Sequence, residues 1–450
     1  MNPKILVIGG LAAGPAAAAK AKRTNSEAEV TLFEQGEHVS YGICEIPYFI
    51  GGVTPNKSDI EPFSAQKLEQ TRGFKVKTLH RVEKLDSTKR LVVVRDLWKD
   101  KLHEFKYTKL VLATGSSPRR LGIAGENARN LFFINKLDEA YALKKFIDEE
   151  QPKRAVVVGG GYIGLEMVDT LVSLGLKTTL VHRSAFPLSS LEDSARKFVL
   201  SQLTKNGVQF EPNQTVLQFV VDASGKISKV VTNRSSFETG LVIVCIGVAP
   251  NTELACHAKL RLGTHTGVLT DQHQKTSNDA IYAAGDCCEL KNSVNNKWMY
   301  LPLATYAARQ GVVAGMNAAG GRAAFKGAIR AVAVKVFDGE VAHVGLSLKE
   351  ALESGFSADT DEISSSTKIS FYPGSSPLSI RLIFEKRSHR LLGANVWGGS
   401  GSVARANVLS SAIQHKLTLE QVAELDLIYA PQFSPLWDPI LTAAKQARKQ

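Results

Sequence analysis

The chain has 450 residues, enough for two or three domains with separate cores, and its 44% hydrophobic and 22% charged content is that of a soluble globular protein. An excess of 55 basic over 43 acidic residues comes without a nucleic-acid motif or a basic, aromatic-interleaved patch, so a cationic cleft for an anionic small molecule, or plain solubility, accounts for the +12 charge. No stretch approaches the roughly 18 apolar residues of a membrane helix. The opening apolar run is too short for a signal peptide, and five cysteines without CxxC or zinc spacing exclude a disulfide scaffold and a structural metal; a cytoplasmic protein is expected.

The first element is an apolar strand, Lys4 to Ile8, running into the turn Gly9-Gly10-Leu11-Ala12-Ala13-Gly14. An alanine-rich helix from Pro15 to about Thr24 follows, then a second strand, Val30 to Phe33, ending in Glu34 and Gln35. Strand, glycine turn, helix and strand within roughly 30 residues form a dinucleotide-binding unit. Glycines let the backbone approach a pyrophosphate, which rests on the N–H groups at the helix start. Leu11 replaces the usual middle glycine, but Glu34, about 20 residues on, is placed to bind a ribose hydroxyl as FAD or NAD requires.

Cys44 follows, in Ser40-Tyr41-Gly42-Ile43-Cys44-Glu45-Ile46-Pro47-Tyr48, with no second cysteine nearby. Without a resolving thiol, its oxidised form is a mixed disulfide, a persulfide or a sulfenic acid. Glu45 beside it is expected to oppose thiolate formation if its side chain points inward. Cys245, Cys256, Cys287 and Cys288 read as small buried hydrophobes.

A second unit repeats the plan. Ala155 to Val158 is its strand, Gly159-Gly160-Gly161-Tyr162-Ile163-Gly164 its turn, Leu165 to Leu174 its helix, and Thr178 to Val181 its second strand. Here His182-Arg183 stands where the first unit has Glu34. A carboxylate would repel a 2′-phosphate and a guanidinium would pair with it, so this site leans toward NADPH, with NADH possible.

The strand Leu110 to Leu112 ends in Ala113-Thr114-Gly115, and the strand Leu241 to Ile246 in Gly247 with Pro250-Asn251 after it; both read as passages between domains. An apolar strand from Ile281 closes on Gly285-Asp286, and a helix starts after Pro302-Leu303-Ala304. The rest alternates like a mixed α/β domain, with strands Ala331 to Phe337 and Ser379 to Phe384 and helices Leu348 to Ser354 and Ser402 to His415.

On these motifs the chain resembles, along essentially its whole length, the pyridine nucleotide-disulfide oxidoreductases. The resemblance implies an α/β fold with two Rossmann-like domains and a C-terminal α/β dimerisation domain. It puts an FAD domain at 1–115 and 250–325, an NAD(P) domain at 116–249 and the dimerisation domain at 326–450. It also brings Asp286 to the ribityl chain, points the helix after Pro302 at the flavin, and places Tyr162 and Glu166 beside the nicotinamide.

Branches of the family differ near the cysteine. The branch resembling glutathione reductase carries a CxxxxC pair and a C-terminal His-Glu; the NADH peroxidase and oxidase branch carries a histidine in the first glycine turn. This chain has neither. Its GGxAAG turn, Ser40-x3-Cys44, Pro47-Tyr48 and Tyr429-Ala430-Pro431 resemble the coenzyme A-disulfide reductases. That implies a homodimer in which Cys44 forms a mixed disulfide with coenzyme A, Tyr429 and Tyr372 from the partner subunit act as proton donors, and Lys20, Arg23, Ser40 and Arg72 bind coenzyme A. An oxidase, peroxidase or polysulfide reductase of the same family, and an electron-transfer flavoprotein subunit with a silent Cys44, are the alternatives.

Overall fold

The computed structural model describes residues 2–449. A five-stranded parallel sheet runs in the order Ile281–Ala283, Lys109–Leu112, Lys4–Ile8, Glu29–Phe33, Lys75–Lys77. Its strands are almost continuously apolar, with Ile5, Val7, Leu32, Leu110, Val111 and Ile281 shut off from solvent, as a parallel sheet covered on both faces demands. On one face the Ala13–Thr24 and Ala304–Ala318 helices pack against each other. They touch backbone to backbone, since a Cβ on Gly311 or Gly315 would run into the carbonyl oxygen of Ala13 or Ala17. On the other face lies an antiparallel meander, His80–Asp86, Leu91–Asp96 and Lys101–Lys106, whose Leu85, Val92 and Val94 join the sheet's core.

A second five-stranded parallel sheet has the order Gln209–Glu211, Lys177–Val181, Arg154–Val158, Leu241–Val244, Leu131–Phe133. The chain reaches and leaves it along a short antiparallel ribbon, Ser116–Pro118 against Val248–Pro250. Thr114 Oγ1 donates to Asn251 O at 2.7 Å and Asn251 Nδ2 donates back to Thr114 O at 2.9 Å, so the outgoing and returning strands are pinned together. The third sheet is antiparallel, in the order Ala331–Val336, Gly339–Gly345, Leu391–Gly398, Pro377–Glu385, Ala358–Ser366, with the Ser402–Gln414 and Pro439–Ala447 helices packed on it. Among the described residues no helix is long and apolar enough to cross a membrane.

Candidate active site

The first glycine turn is built by close approach. Gly9 has φ +112°, and a Cβ there would strike the Ala113 carbonyl; a Cβ on Gly14 would strike the Gly9 carbonyl. Strand, helix and neighbouring strand meet closely enough here that any side chain would push them apart. The Ala13–Thr24 helix begins with no side-chain cap and no acid in its first turn, which leaves its leading amides free for an anion. Glu34 accepts from Gly10 N at 2.6 Å and from Gly36 N at 2.8 Å. Burial raises its pKa, with those amides opposing.

Asp286 is brought to this turn from far along the chain. Gly285 has φ +82°, and a Cβ on it would sit 2.9 Å from Ala13 Cβ. Its amide donates to buried Gln310 Oε1 at 3.0 Å. The Asp286 carboxyl is pushed up to about 6 by burial, against one hydrogen bond from Ser116 Oγ at 3.2 Å. A buried acid with so little protein partnership is a group still short of donors, as hydroxyls of a ribityl chain would be. The Ala304–Ala318 helix, which begins after Leu303, also opens without a side-chain cap or acid. These residues fit an FAD, whose adenosine ribose would be held by Glu34 and Gln35, its pyrophosphate by Gly9 to Gly14 and its ribityl chain by Asp286, with Ala113, Thr114 and Gly115 at the end of the Lys109–Leu112 strand.

The second turn copies the first. Gly159 N donates to Val181 O at 2.9 Å where Gly9 N donates to Phe33 O at 2.8 Å, and Cβ atoms on Gly159 and Gly164 would strike the carbonyls of Cys245 and Gly159. The Tyr162–Ser173 helix is capped by Gly161 without a side-chain bond. One detail was not legible beforehand: His182 Nδ1 accepts from Gly160 N at 3.0 Å, taking the seat that Glu34 holds in the first unit. An accepting Nδ1 makes the ring neutral, and burial, the largest influence, lowers its pKa. Arg183 next to it is exposed, as are Ile163 and Gly247. Tyr162 Oη lies 3.4 Å from Ser190 Oγ, with its phenol pKa raised by burial.

Cys44 lies between the two turns. Its loop is tied to the first through Ser40 N to Gly10 O at 2.8 Å and to the chain beyond through Gly42 N to Ile60 O at 2.9 Å. It then runs into the Ile46–Ile50 helix, which accepts from Thr170 of the second unit's helix at Pro47 O, at 3.2 Å. The cysteine is exposed. Its thiol pKa is raised, first by desolvation and then by the carboxylates of Glu45, Glu166 and Asp286. Glu45 folds back over Gly42, so tightly that a Cβ on Gly42 would meet its carboxylate. Glu166 is itself pushed to about 7 by burial and by Asp169. Tyr48, unremarked as an ionisable group in the sequence, is raised by burial and by Glu166, Asp169, Cys44 and Glu45.

Of the other cysteines, Cys287 and Cys288 are buried and Cys245 is half-buried with its thiol pushed up to about 12 by burial. Cys256 departs from expectation: it is exposed, because the Glu253–His257 helix turns Leu254 and Ala255 inward instead.

Of the basic residues expected to bind an anionic ligand, Lys20 and Arg23 share the Ala13–Thr24 helix. Lys20 is half-buried and Arg23 exposed on the Ala13–Thr24 helix. A Cβ on Gly73, adjoining Arg72, would lie 3.6 Å from the Lys22 side chain of that helix, and the Arg72 guanidinium lies 5.9 Å from the Phe63 ring centroid. Tyr372 and Tyr429 lie in two loops of the C-terminal domain, away from the groups that act on the Cys44 thiol within one chain. A buried arginine that no local sequence pattern marks joins those loops. Arg405, 8% exposed, pairs with Asp438 at 2.9 Å and donates to Thr367 O at 3.1 Å and Phe433 O at 3.4 Å.

Comparison with known proteins agrees with this geometry. The chain is 31% identical to an NAD(P)H coenzyme A polysulfide/persulfide reductase of Pyrococcus horikoshii, over 99% of this chain and 98% of that one. It is 31% identical to an NADH oxidase of Enterococcus faecalis, over 99% of each. The crystal structure of reduced Bacillus anthracis CoADR-RHD superposes with a TM-score of 0.95 at 29% identity, covering 99% of this chain and 80% of that one. Residues 331–439 match the dimerisation domain of the pyridine nucleotide-disulphide oxidoreductases. Residues 3–311 match the pyridine nucleotide-disulphide oxidoreductases themselves, and the chain belongs to the pyridine nucleotide-disulphide oxidoreductase family, whose enzymes are FAD- and NAD(P)H-dependent.

Proposed function

We propose that this enzyme reduces coenzyme A disulfide, or a closely related disulfide or persulfide, through the single thiol of Cys44, with NADPH favoured over NADH. The observation that carries the reading is the position of Cys44: exposed, and hydrogen-bonded through its loop to the first glycine turn and through its helix to the second unit. The chemistry FAD supplies when bound is the relay of an electron pair from the reduced nicotinamide to the Cys44 sulfur.

The chain's own residues do the rest. As thiolate, Cys44 attacks one sulfur of the acceptor disulfide, forming a mixed disulfide and releasing one coenzyme A thiolate. A phenol with pKa near 10 can protonate a thiolate that leaves at roughly 8.5; Tyr429 of the partner subunit is assigned that role, with Tyr372 of the partner subunit as a second donor. An electron pair delivered to the mixed disulfide regenerates the Cys44 thiolate and frees the second coenzyme A. One NAD(P)H and one proton are consumed for each disulfide split into two thiols. The substrate supplies the second sulfur, so one cysteine suffices.

Lys20, Arg23 and Arg72 suit the phosphates of coenzyme A, with Ser40 at the entrance to the Cys44 loop. In this reading residues 1–115 and 250–325 are the FAD domain, 116–249 the NAD(P) domain and 326–450 the dimerisation domain. Support for a homodimer comes from apolar side chains left bare near the two tyrosines: Phe371 is 79% exposed, Ile428 87%, Phe433 66% and Trp437 60%. An exposed apolar cluster of that kind marks an interface.

The test is a panel of coenzyme A disulfide, polysulfide, peroxide and oxygen, each run with NADPH and NADH. Turnover concentrated on the sulfur acceptors and abolished by Cys44→Ser is expected. Equal turnover of peroxide and disulfide, or full activity in Cys44→Ser, overturns the reading.

A further inference from the structure

The antiparallel meander on the first sheet turns Leu85, Val92 and Val94 inward to the core. Side chains alternate along a strand, so Arg95 and the residue opposite it, Leu102, stand on the outer face, where Leu102 is 54% exposed. The strand Lys101–Lys106 pairs with Leu91–Asp96 alone, which leaves its far edge open. The turn between these strands, Leu97 to Asp100, holds a tryptophan out in a fixed position. Trp98 N and Lys99 N donate to the buried Asp96 carboxylate at 3.0 and 3.1 Å, and Leu97 N donates to Leu79 O at 2.8 Å. Asp100 closes the turn against Arg95 at 2.7 Å. On this preformed turn Trp98 is 80% exposed and Leu97 37%, with Leu102 just beyond them. An apolar tip of this kind is a surface short of a partner.

The charge of the meander decides which partner. Six cations are exposed on its strands and turns, Lys84, Lys89, Arg90, Lys99, Lys101 and Lys106, and among the described residues none of them is in an ion pair. The acids, by contrast, are engaged. Arg95 and Arg81 hold Glu83 at 2.7 and 2.9 Å, Arg95 also holds Asp100, the amides of Thr88 and Lys89 hold Asp86 at 3.0 and 2.9 Å, and those of the tip hold Asp96. Exposed Glu104 is the acid left over. We propose that the tip and outer face of this meander dock on an anionic lipid bilayer, with Trp98 and its two leucines at headgroup level and the lysines against the lipid phosphates. Three apolar side chains are too few for the core of a protein–protein interface, which takes about 800 Å² per partner. With one aromatic among them, they offer no stacking platform for successive bases. A bilayer asks for neither: indole sits at the membrane–water boundary, and lysine stems lie along apolar surface while their ammonium groups reach the headgroups. The Ala13–Thr24 helix lies on the opposite face of the sheet, so docking engages neither Lys20 nor Arg23.

The test uses the holoenzyme and needs no acceptor, so its outcome is separate from that of the disulfide reading. Cosedimentation is measured with vesicles of phosphatidylcholine alone and of phosphatidylcholine with about 30% phosphatidylglycerol. Binding to the anionic vesicles only, weakening as salt is raised, is expected. Lys99→Gln combined with Lys101→Gln should lower the apparent affinity about 25-fold, about fivefold per lysine, and Trp98→Ser about tenfold, each with wild-type flavin content. No binding of wild type to anionic vesicles, or binding that neither variant weakens, overturns the proposal. Parallel arms use polyglutamate and a single-stranded oligonucleotide. Retention on either that exceeds binding to the vesicles and falls in Trp98→Ser assigns the face to an acidic protein or a nucleic acid instead. Loss of a dimer in Trp98→Ser, read by light scattering, assigns it to a second copy of this chain. Each of these results overturns the bilayer as partner.

Discussion

The choice of nicotinamide nucleotide is the point at which the two dinucleotide units most clearly diverge, and it can be reversed by substitution. In the first unit the Gly10 amide is answered by the Glu34 carboxylate at 2.6 Å; in the second the Gly160 amide is answered by the neutral ring of His182 at 3.0 Å. His182→Glu places a carboxylate in that seat, with the turn still hydrogen-bonded. A 2′-phosphate about 5 Å away would then be repelled by about 3 kcal/mol at an effective dielectric of about 20. Arg183→Ala removes charge-assisted hydrogen bonds worth about 1.5–3 kcal/mol. At 1.4 kcal/mol per tenfold, NADPH should lose roughly 100-fold in kcat/KM through the first change and 10- to 100-fold through the second. NADH, presenting a hydroxyl that a carboxylate binds well, should be unharmed or improved by His182→Glu. The assay is steady-state oxidation of each nucleotide with a saturating acceptor. A ratio of the two kcat/KM values that stays within twofold of wild type in both variants refutes the reasoning.

Three further outcomes follow from particular contacts. Gly285→Ala forces a side chain into φ +82° and toward Ala13; flavin absorbance per purified subunit should fall while the fold, read by circular dichroism, persists. Arg405→Met leaves the partly buried Asp438 without its counter-ion, held only by the Ser434 hydroxyl and the Ile440 amide, a change worth about 3 kcal/mol. The loops of Tyr372 and Tyr429 should become protease-sensitive and disulfide turnover should drop, while alkylation of Cys44 is unchanged. His343 is fully buried, bonded through Nδ1 to Asn395 Nδ2 at 2.7 Å, and burial with Arg330 nearby lowers its pKa to about 4. A histidine lowered on folding costs stability as pH falls from its unfolded value toward the folded one. From pH 7 to 5, urea unfolding of wild type should therefore lose about 2 kcal/mol more than His343→Gln.

The two βαβ units were legible because their information is local: apolar strands, glycines where backbones touch, an acid or a basic pair at the second strand's end. Helix starts shifted by only a few residues, the second unit's helix beginning at Tyr162 rather than Leu165. The meander His80–Lys106 went unread because its outer strand, Lys101–Lys106, is almost wholly solvent-exposed and its charged residues mask the alternation. What joins distant segments was also silent. The Thr170–Pro47 bond, the Asp286–Ser116 bond and the Arg405–Asp438 pair each link residues whose meeting depends on tertiary packing. Cys256 is exposed for the same reason: a free cysteine is usually buried, but the five-residue helix it sits on has room for only one buried face.

The central claim is that Cys44 is a redox centre in its own right. Anaerobic titration of the holoenzyme with NADPH, following the flavin spectrum, tests it most directly. The account predicts that each subunit takes up two electron pairs, that a long-wavelength thiolate-to-flavin band appears after the first, and that Cys44→Ser takes up one pair without the band. Uptake of a single pair by wild type, unchanged in Cys44→Ser, would contradict it.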